Sequence, residues 1–362
     1  MRPARLIPPT QALTAELTTR RFNPVISNDP VLPVIDWASI GEAAPQLPAT
    51  PVGQLPAADA VVITWAGAEW AAMEHVFCSS HEAMPYSNRS KSLWPGWQKY
   101  DVDVPTAPDP TWTYWGYYRL VLIGTKRVLL FKSNTHLDYP GPTFLAQLID
   151  RIITSVTPGL ILSIGTAGGS IPTDHVGTVN VVHAGTLYKT GEPPSGWSTW
   201  SNSWEAGWQL ITKQGFDKLL VPVPTTEGDL SSIIGQFNSF YNTTYTAADL
   251  NIDNVNMGDV IPRLNNMTDA GTPLLTTDSF VVGTSDGSLS QFACVEMDDA
   301  IVAETCAAKS IHFGFIRNIS DPVQNAALPE KIQAAWGSAI YDAYGFYTSS
   351  NGALAAWAIL SA

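Results

Sequence analysis

The chain has 362 residues, of which 45% are hydrophobic and 14% charged, so it can bury a sizeable core and is expected to fold over most of its length. Its formal net charge of −13 argues against nonspecific binding to nucleic acid or anionic membrane, although a small anionic substrate remains compatible with a local pocket. The three cysteines form no CxxC pair and the six histidines form no HExxH pair, so neither a disulfide framework, nor a metal, nor any other cofactor is predicted.

The first 57 residues differ in composition from the rest, because residues 1–57 hold 10 of the 27 prolines. This density predicts an extended Pro-rich N-terminal arm that contacts the same chain or a neighbouring subunit. The segment has no apolar run of the kind found in signal peptides, and no stretch of about 18 apolar residues occurs in the chain. We therefore expect a cytoplasmic protein without a membrane span, in which residues 58–362 form one domain.

Apolar runs alternate with helical patterns from residue 60 onwards. Strands are predicted at 61–63, 117–123, 127–132, 159–165, 176–184, 279–282, 292–295 and 311–317. Helices are predicted at 69–77, 143–156, 299–308 and, with an amphipathic pattern, 330–347. This alternation predicts an α/β protein with a central β-sheet flanked by helices.

Two segments interrupt the alternation and are predicted to be insertions, near 78–115 and 190–270. The first is a long loop that contains Trp94, Trp97, Trp112 and Trp115. These four side chains could form an aromatic lid over a base, but a packed surface excursion is the favoured interpretation. The second segment is rich in Ser, Thr, Asn and Trp, and we expect it to contain some helix.

A glycine-rich turn follows the predicted strand 159–165, with the sequence Gly165-Thr166-Ala167-Gly168-Gly169. Glycines allow a backbone to approach a ligand closely, and Thr166 offers a hydroxyl and an N–H group. The spacing matches neither the GxGxxG dinucleotide fingerprint nor the phosphate-binding P-loop. Taken alone, an ordinary strand-to-helix turn is the favoured interpretation.

A second motif, Gly283-Thr284-Ser285-Asp286-Gly287, matches the nucleophile elbow GxSxG of α/β-hydrolases and follows a predicted strand. Asp298 and His312 come next in the chain order of a hydrolase triad. However, the sequence after Gly287 is a poor helix start, and His312 lies in an apolar strand where a packed histidine is favoured. A serine hydrolase is therefore kept only as a minor alternative.

Acidic residues occur at two predicted strand ends. In Cys294-Val295-Glu296-Met297-Asp298-Asp299, we interpret Asp299 as a helix cap, whereas Glu296 and Asp298 share one face of an extended chain. In Arg317-Asn318-Ile319-Ser320-Asp321-Pro322, Asp321 lies at the carboxyl end of a strand, where open α/β sheets bind ligands. Taken alone, Asp321 before a proline would be a turn or a cap.

Together these segments resemble the nucleoside phosphorylase and nucleosidase family, most closely the methylthioadenosine/S-adenosylhomocysteine nucleosidases. The resemblance is carried, in this order, by ILSIGTAGG (161–169), TTDSFVV (276–282), VEMDDAIVAETC (295–306) and FGFIRNISDP (313–322), with a weaker match at VVITWAGAEWAAM (61–73). It implies a three-layer α/β fold, with a central mixed sheet flanked by helices, and makes residues 58–362 the catalytic domain.

The resemblance also implies roles for individual residues. Asp321 would be the acid at purine N7, and Glu69 the base that activates water. Phe280 would stack on the base, Val281 would offer its backbone to the base edge, and Met297 would pack on the ribose. Asp298 stands where the family has a Glu that binds the ribose hydroxyls. The aspartate side chain is one methylene shorter than that glutamate. The remaining substrate-binding positions are Thr166, Ala167, Gly168 and Glu296 near the ribose, and Arg317 and Ser320 in support of the acid and the base.

The nucleophile is predicted from the position before the glycine turn. Phosphorylases of the family often have an arginine there that binds phosphate, whereas this chain has Ser163. Without an arginine, a phosphate dianion loses its best bidentate partner, which favours water. Arg20 or Arg21 from another subunit could restore phosphate binding. The predicted function is thus purine nucleoside hydrolysis by a homo-oligomer, with a phosphorylase and a non-catalytic nucleoside-binding protein as alternatives.

Overall fold

The computed structural model describes residues 22–26, 31–107, 109–189, 191–206, 215–225, 227–255, 261–278 and 283–361. Its five α-helices in this part of the chain are α1 Gly67–Cys78, α2 Pro142–Val156, α3 Glu227–Tyr241, α4 Asp299–Ala308 and α5 Glu330–Ser361. The strands are β1 Ala60–Thr64, β2 Gln98–Tyr100, β3 Gly116–Ile123, β4 Lys126–Ser133, β5 Leu160–Gly168, β6 Val179–Val182, β7 Ala184–Leu187, β8 Ser198–Ser201, β9 Leu264–Asn266, β10 Leu274–Thr276, β11 Val295–Glu296 and β12 His312–Asp321.

All of these strands belong to one mixed sheet, in the order β2-β3-β4-β1-β5-β11-β10-β7-β8, with a branch from β5 through β12 and β6 to β9. The centre of the sheet is parallel, because β1 pairs in parallel with β4 and β5, and β5 pairs in parallel with β12. Antiparallel pairs include β3 with β4, β6 with β12 and, through a short contact at the end of β5, β5 with β11. The carboxyl ends of β1, β4, β5 and β12 therefore meet at one edge.

Helices cover both faces of the sheet, so the predicted three-layer α/β architecture is confirmed. Side chains of β1 alternate between the faces, with Val62 in the core under α1 and α5 and Val61 in the core under α2 and α4. Both residues are fully buried. A strand with helices on both sides is expected to be apolar at successive positions, which is the pattern that predicted it.

Several predicted elements differ from the structure in extent. The strand predicted at 176–184 is two short strands, β6 and β7. The strand predicted at 292–295 is confined to Val295 and Glu296, and the strand predicted at 279–282 lies outside the described residues. The helix predicted at 330–347 runs to Ser361, and all residues from 343 to 358 are buried. An amphipathic pattern cannot mark the end of a helix that becomes buried on every side.

Within the described segments, α5 included, no helix has the combination of length and hydropathy that a bilayer crossing requires.

The described part of the Pro-rich arm packs on the body of the same chain. Leu32 forms a backbone bridge with Met84, and the Trp37 ring lies 4.3 Å from the ring of Trp357 on α5. Residues 1–21 lie outside the described residues, so contact with another subunit stays a prediction.

The tryptophan-rich segment is a packed layer rather than a lid. Trp94, Trp97, Trp112 and Trp115 are all buried, and Trp97 donates a 2.6 Å hydrogen bond from Nε1 to Glu74 on α1. None of the four lines the cavity described below. The interpretation favoured from the sequence, a packed surface excursion, therefore matches this structure.

Candidate active site

A cavity of about 690 Å³ lies at the carboxyl ends of β1, β4, β5 and β12, which is where open α/β sheets bind ligands. Its volume is in the range typical of small-molecule sites. The loops after β1 and β4, the end of β5, the β11–α4 turn and the end of β12 all contribute side chains. The lining residues are Trp65, Ala66, Glu69, His136, Asp138, Tyr139, Thr166, Ala167, Gly168, Thr277, Val295, Glu296, Met297, Asp298, Arg317, Asp321 and Tyr341.

Asp321 ends β12 and lines this cavity. Its Oδ1 accepts a 2.8 Å hydrogen bond from the Ser320 hydroxyl, whereas its buried Oδ2 has no hydrogen-bond partner among the described residues. Burial raises the pKa of Asp321 to about 6, although the Ser320 hydrogen bond lowers it. A buried polar atom without a partner is costly, so Oδ2 is poised to exchange a proton or a hydrogen bond with a ligand.

Glu69, in the first turn of α1, links that helix to the end of β5. Its Oε1 accepts from the backbone N–H and the hydroxyl of Thr166, at 2.8 and 2.7 Å. Its Oε2 accepts from the Thr64 hydroxyl and from the backbone amides of Trp65 and Ala66, at 3.1, 3.0 and 2.8 Å. A carboxylate offers about four lone-pair sites, so protein donors satisfy this one completely.

The glycines of the segment 165–169 make room for neighbouring side chains as well as for a ligand. A Cβ at Gly165 would lie 2.4 Å from Arg317 Nη1 and 3.0 Å from Glu69 Oε1, so only glycine lets these two groups approach β5. Gly168 lines the cavity, and a Cβ at Gly283 would lie 1.5 Å from the carbonyl oxygen of Gly169. β5 itself continues to Gly168, so the predicted strand-to-helix turn is in fact strand.

Arg317 lies at the centre of a buried cluster beneath the cavity. Its Nε and Nη2 donate to Asp299, with a distance of 2.7 Å from Nε to Oδ2, and Nη2 lies 3.2 Å from Glu296. Ser163 donates to Asp299 at 2.6 Å and accepts from Arg317 Nη2 and from Trp65 Nε1. Ser163 is thus fully buried in this cluster, and Arg317 supports these carboxylates rather than Asp321.

The prediction that Asp299 caps α4 is wrong, because its carboxylate forms the bidentate pair with Arg317. Glu296 takes the capping role instead, since its carboxylate accepts from the backbone amides of Asp298 and Asp299, at 2.7 and 3.0 Å. It also accepts from the hydroxyl of Thr276. The chain turns too sharply here for the extended geometry assumed from sequence, and Met297 lines the same cavity as its two neighbours.

One guanidinium serves two buried carboxyls in this cluster. Burial, followed by the charge of Asp299, raises the pKa of Glu296 to about 8, although Arg317 opposes the shift. Burial also raises the pKa of Asp299 against the effect of Arg317. Because Asp299 holds the bidentate contact, we assign the additional proton at neutral pH to Glu296.

Glu296→Gln tests this assignment through stability. A carboxyl whose pKa is higher in the folded state stabilises the fold only while protonated, so the wild type loses this contribution as pH rises from about 4.5 to about 8. The free energy of unfolding of the variant, relative to wild type, should therefore increase over that interval. Urea unfolding measures it, with Glu304→Gln at an exposed position on α4 as the control. A difference that does not change with pH would contradict the assignment.

Asp298 is held by the loop that follows β4. Its Oδ1 accepts from the backbone N–H of Leu137 at 2.8 Å, and its Oδ2 lies 3.2 Å from His136 Nδ1. The His136 ring is 5.8 Å from the Trp65 ring, and both line the cavity. The shorter side chain found here in place of the family's glutamate is thus paired with a histidine.

The cavity brings together nine of the predicted site residues: Glu69, Thr166, Ala167, Gly168, Glu296, Met297, Asp298, Arg317 and Asp321. Ser320 lies behind Asp321, and Phe280 and Val281 lie outside the described residues. The sequence did not identify as site residues Trp65, His136, Asp138, Tyr139, Thr277 and Tyr341 at the cavity, or Asp299 below it. The position of His136 and Asp138 directly after a strand was the available signal for two of them.

The serine hydrolase alternative is wrong. Asp298 pairs with His136, whereas His312 begins β12 at the opposite end from Asp321 and lies 3.4 Å from Asn202. Ser285 Oγ accepts from the backbone N–H of Ala326. Among the residues that the structure describes, no group of three His, Cys, Asp or Glu side chains is arranged to hold a metal ion.

The fold and the cavity define an α/β protein with a carboxyl-rich small-molecule site at the ends of its central parallel strands. No family model matches the chain, and no curated protein sequence matches it. Solved structures similar to it include two nucleosidases and a futalosine hydrolase, which are enzymes of the kind that the sequence resembles.

The futalosine hydrolase of Helicobacter pylori is 11% identical, with 83% of this chain and 97% of that chain covered and a TM-score of 0.44. The 5′-methylthioadenosine/S-adenosylhomocysteine nucleosidase of Neisseria meningitidis, in complex with methylthio-immucillin-A, is 13% identical, with 84% and 99% covered and a TM-score of 0.43. A putative nucleosidase of this kind from Francisella philomiragia is 12% identical, with 83% and 98% covered and a TM-score of 0.45. Because the TM-scores are below 0.5, we base the functional proposal on the cavity's side chains.

Proposed function

We propose that this protein hydrolyses the N-glycosidic bond of a purine nucleoside. The observation that carries the proposal is Asp321, which lines the cavity, has a buried Oδ2 without a partner in the described part of the chain, and has a pKa that burial raises to about 6. Cleavage of the C1′–N9 bond leaves negative charge on the purine, and a proton delivered to N7 neutralises it. General acid catalysis of this kind contributes about 10²- to 10⁴-fold to the rate.

The opposite charge develops on the ribose, and carboxylates face the space that it would occupy. Glu69, Asp298 and Asp138 line the cavity together with Met297, whose apolar side chain suits packing against a sugar ring. Preorganised negative charge stabilises an oxocarbenium-like transition state without reorganisation at the moment of reaction. In this proposal Glu69 stays fixed by its five donors and supplies charge beside Thr166.

Water is favoured over phosphate because of the charges around the cavity. Its lining includes five carboxyl groups, of Glu69, Asp138, Glu296, Asp298 and Asp321, and a single guanidinium, that of Arg317. Arg317 is bound to Asp299 and Glu296, and it also donates to Ser163 and to the carbonyl oxygen of Thr166, so its donors are committed within the protein. Glu296 and Asp321 carry protons in this proposal, but the carboxylates of Glu69, Asp138 and Asp298 would repel a phosphate dianion, and the described lining has no free guanidinium to bind it. Arg20 and Arg21 lie outside the described residues.

Incubation with adenosine, inosine, methylthioadenosine and AMP, each with and without phosphate, tests the proposal. We expect free base and a free sugar (ribose, 5-methylthioribose or ribose 5-phosphate) from at least one of them in phosphate-free buffer. Separation of base from nucleoside measures the first product, and a reducing-sugar assay measures the second. Strict phosphate dependence, with a sugar 1-phosphate as product, would make the protein a phosphorylase. Tight nucleoside binding without any base release would make it a non-catalytic binding protein.

A further inference from the structure

His136 combines a fixed orientation with an unused ring nitrogen. Its Nδ1 lies 3.2 Å from Oδ2 of Asp298, a residue only 4% exposed, and its backbone N–H donates to the carbonyl oxygen of Tyr139. A carboxylate can only accept a hydrogen bond, so Nδ1 must be the donor and carry the proton of the neutral ring. Nε2 is then left as an acceptor. In the described part of the chain Nε2 has no hydrogen-bond partner, and His136 lines the cavity.

The carboxylate that the family resemblance names as the base has no acceptor site left for a nucleophile. Glu69 accepts five hydrogen bonds from Thr64, Trp65, Ala66 and Thr166, and three of those donors are backbone amides that cannot turn away. A water molecule could reach this carboxylate only by displacing a hydroxyl. A general base must contact the proton that it removes, and Nε2 of His136 meets that requirement without displacing a protein donor.

Several carboxyl groups lie near His136. Asp298 contacts it, and Asp138 and Glu69 line the same cavity. Lys132, on β4 before this loop, faces both Glu69 and Asp298, and burial lowers its pKa to about 8. Arg317, which lines the cavity, is paired with Asp299. Nearby negative charge stabilises an imidazolium ion as it forms.

We propose that His136, oriented by Asp298, is the general base that activates the attacking water; this rests on the proposed nucleoside hydrolysis. Water donates one proton to Nε2 as its oxygen forms the bond to C1′. The C1′–N9 bond breaks and its electron pair goes to the purine, which receives a proton at N7 from Oδ2 of Asp321. Both residues then exchange protons with solvent, and the net reaction consumes one water molecule.

His136→Gln, Glu69→Gln and the control His312→Gln separate the candidate bases. His312 is an exposed histidine at the far end of β12, so its replacement should leave kcat and kcat/KM unchanged. We expect His136→Gln to lower kcat by about 10²- to 10⁴-fold and to abolish the fall of kcat/KM on acidification. We expect Glu69→Gln to lower kcat but to keep this fall of kcat/KM at low pH, which is the acid limb of the pH profile. An acid limb retained in His136→Gln and lost in Glu69→Gln would overturn the proposal.

His136→Ala provides a second readout that a purely structural role would not give. Added imidazole should restore a part of its activity in proportion to the concentration of neutral imidazole, and should leave Asp321→Asn unchanged. Circular dichroism and thermal unfolding establish that each variant is folded before its kinetics are read. A folded His136→Ala protein that imidazole does not rescue, and whose kcat is within a few-fold of wild type, would exclude His136 as the base.

Asp298→Asn measures the orienting contact through a double-mutant cycle. If Asp298 acts through His136 in addition to its charge beside the ribose, Asp298→Asn should lower kcat by a larger factor in the wild-type background than in His136→Gln. Equal losses in both backgrounds would show that Asp298 acts independently. Wild-type protein that releases no base from any nucleoside would refute the proposed function itself, and this outcome is separate from the failures above.

Discussion

Asp321→Asn is expected to lower kcat for purine release by about 10²- to 10⁴-fold, the range that a positioned general acid contributes. Asparagine keeps the size of the side chain and an acceptor for the Ser320 hydroxyl, but it cannot transfer a proton. Because Oδ2 has no partner within the segments that the structure describes, the replacement breaks no hydrogen bond there. The loss should therefore appear in kcat, measured by release of the base, and not in the thermal stability.

The leaving group shows whether the loss is one of proton transfer. A 4-nitrophenyl riboside releases a stable phenolate and needs no acid, so we expect Asp321→Asn to hydrolyse it with a much smaller loss. Asp174→Asn is a matched control, because Asp174 is also a buried carboxyl with a burial-raised pKa, bound to Asn180 and Asn265 outside the cavity. Equal losses on both substrates would mean that Asp321 holds the substrate without protonating it.

The pH profile provides a third readout on the same variant. Burial raises the pKa of Asp321 to about 6, and the acid acts only in its protonated form. In the wild type, kcat/KM should therefore fall as pH rises through about 6, since kcat/KM reports groups of the free enzyme. Asp321→Asn should lack this alkaline limb. A limb at the same position in the variant would assign it to another group.

The sequence located Asp321 and most of the cavity because those residues lie next to elements that local patterns reveal. Asp321 ends an apolar run, and Glu296 to Asp298 lie between a strand and a helix, so their positions at the sheet edge follow from the element order. The carboxyl ends of parallel strands must meet at one edge. Four strand ends therefore suffice to place side chains from distant parts of the chain around one cavity.

What the sequence could not reveal is which side chain pairs with which. His136 and Asp298 are 162 positions apart, and Arg317 and Ser163 are 154 apart, so no periodicity links them. Asp299 was interpreted as a cap because helix starts favour aspartate, yet the cap is provided by Glu296. Local propensity identifies a residue type that suits a position, whereas the partner is set by packing across the sheet.

The second large effect is expected from Arg317→Met, which should lower the free energy of unfolding by about 3–5 kcal/mol. Arg317 and Asp299 have side chains that are 2% and 0% exposed, so the variant leaves a buried carboxylate without its counter-ion. The methionine replaces most of the volume, and the loss therefore comes from charge rather than from a void. Urea unfolding at constant pH measures it.

A second variant and a surface control show that burial is the cause. Arg317→Met combined with Asp299→Asn removes both charges and should be more stable than Arg317→Met alone, since the remaining side chains are neutral and Ser163 can still donate to the amide oxygen.

Lys309→Met breaks a 2.7 Å ion pair with Asp150 in which both side chains are 47% exposed, and should cost less than about 1 kcal/mol. Equal losses for Lys309→Met and Arg317→Met would mean that contact distance, not desolvation, sets the energy. A double variant no more stable than Arg317→Met would mean that the guanidinium stabilises the fold through its contacts with Thr166 and Glu296 instead.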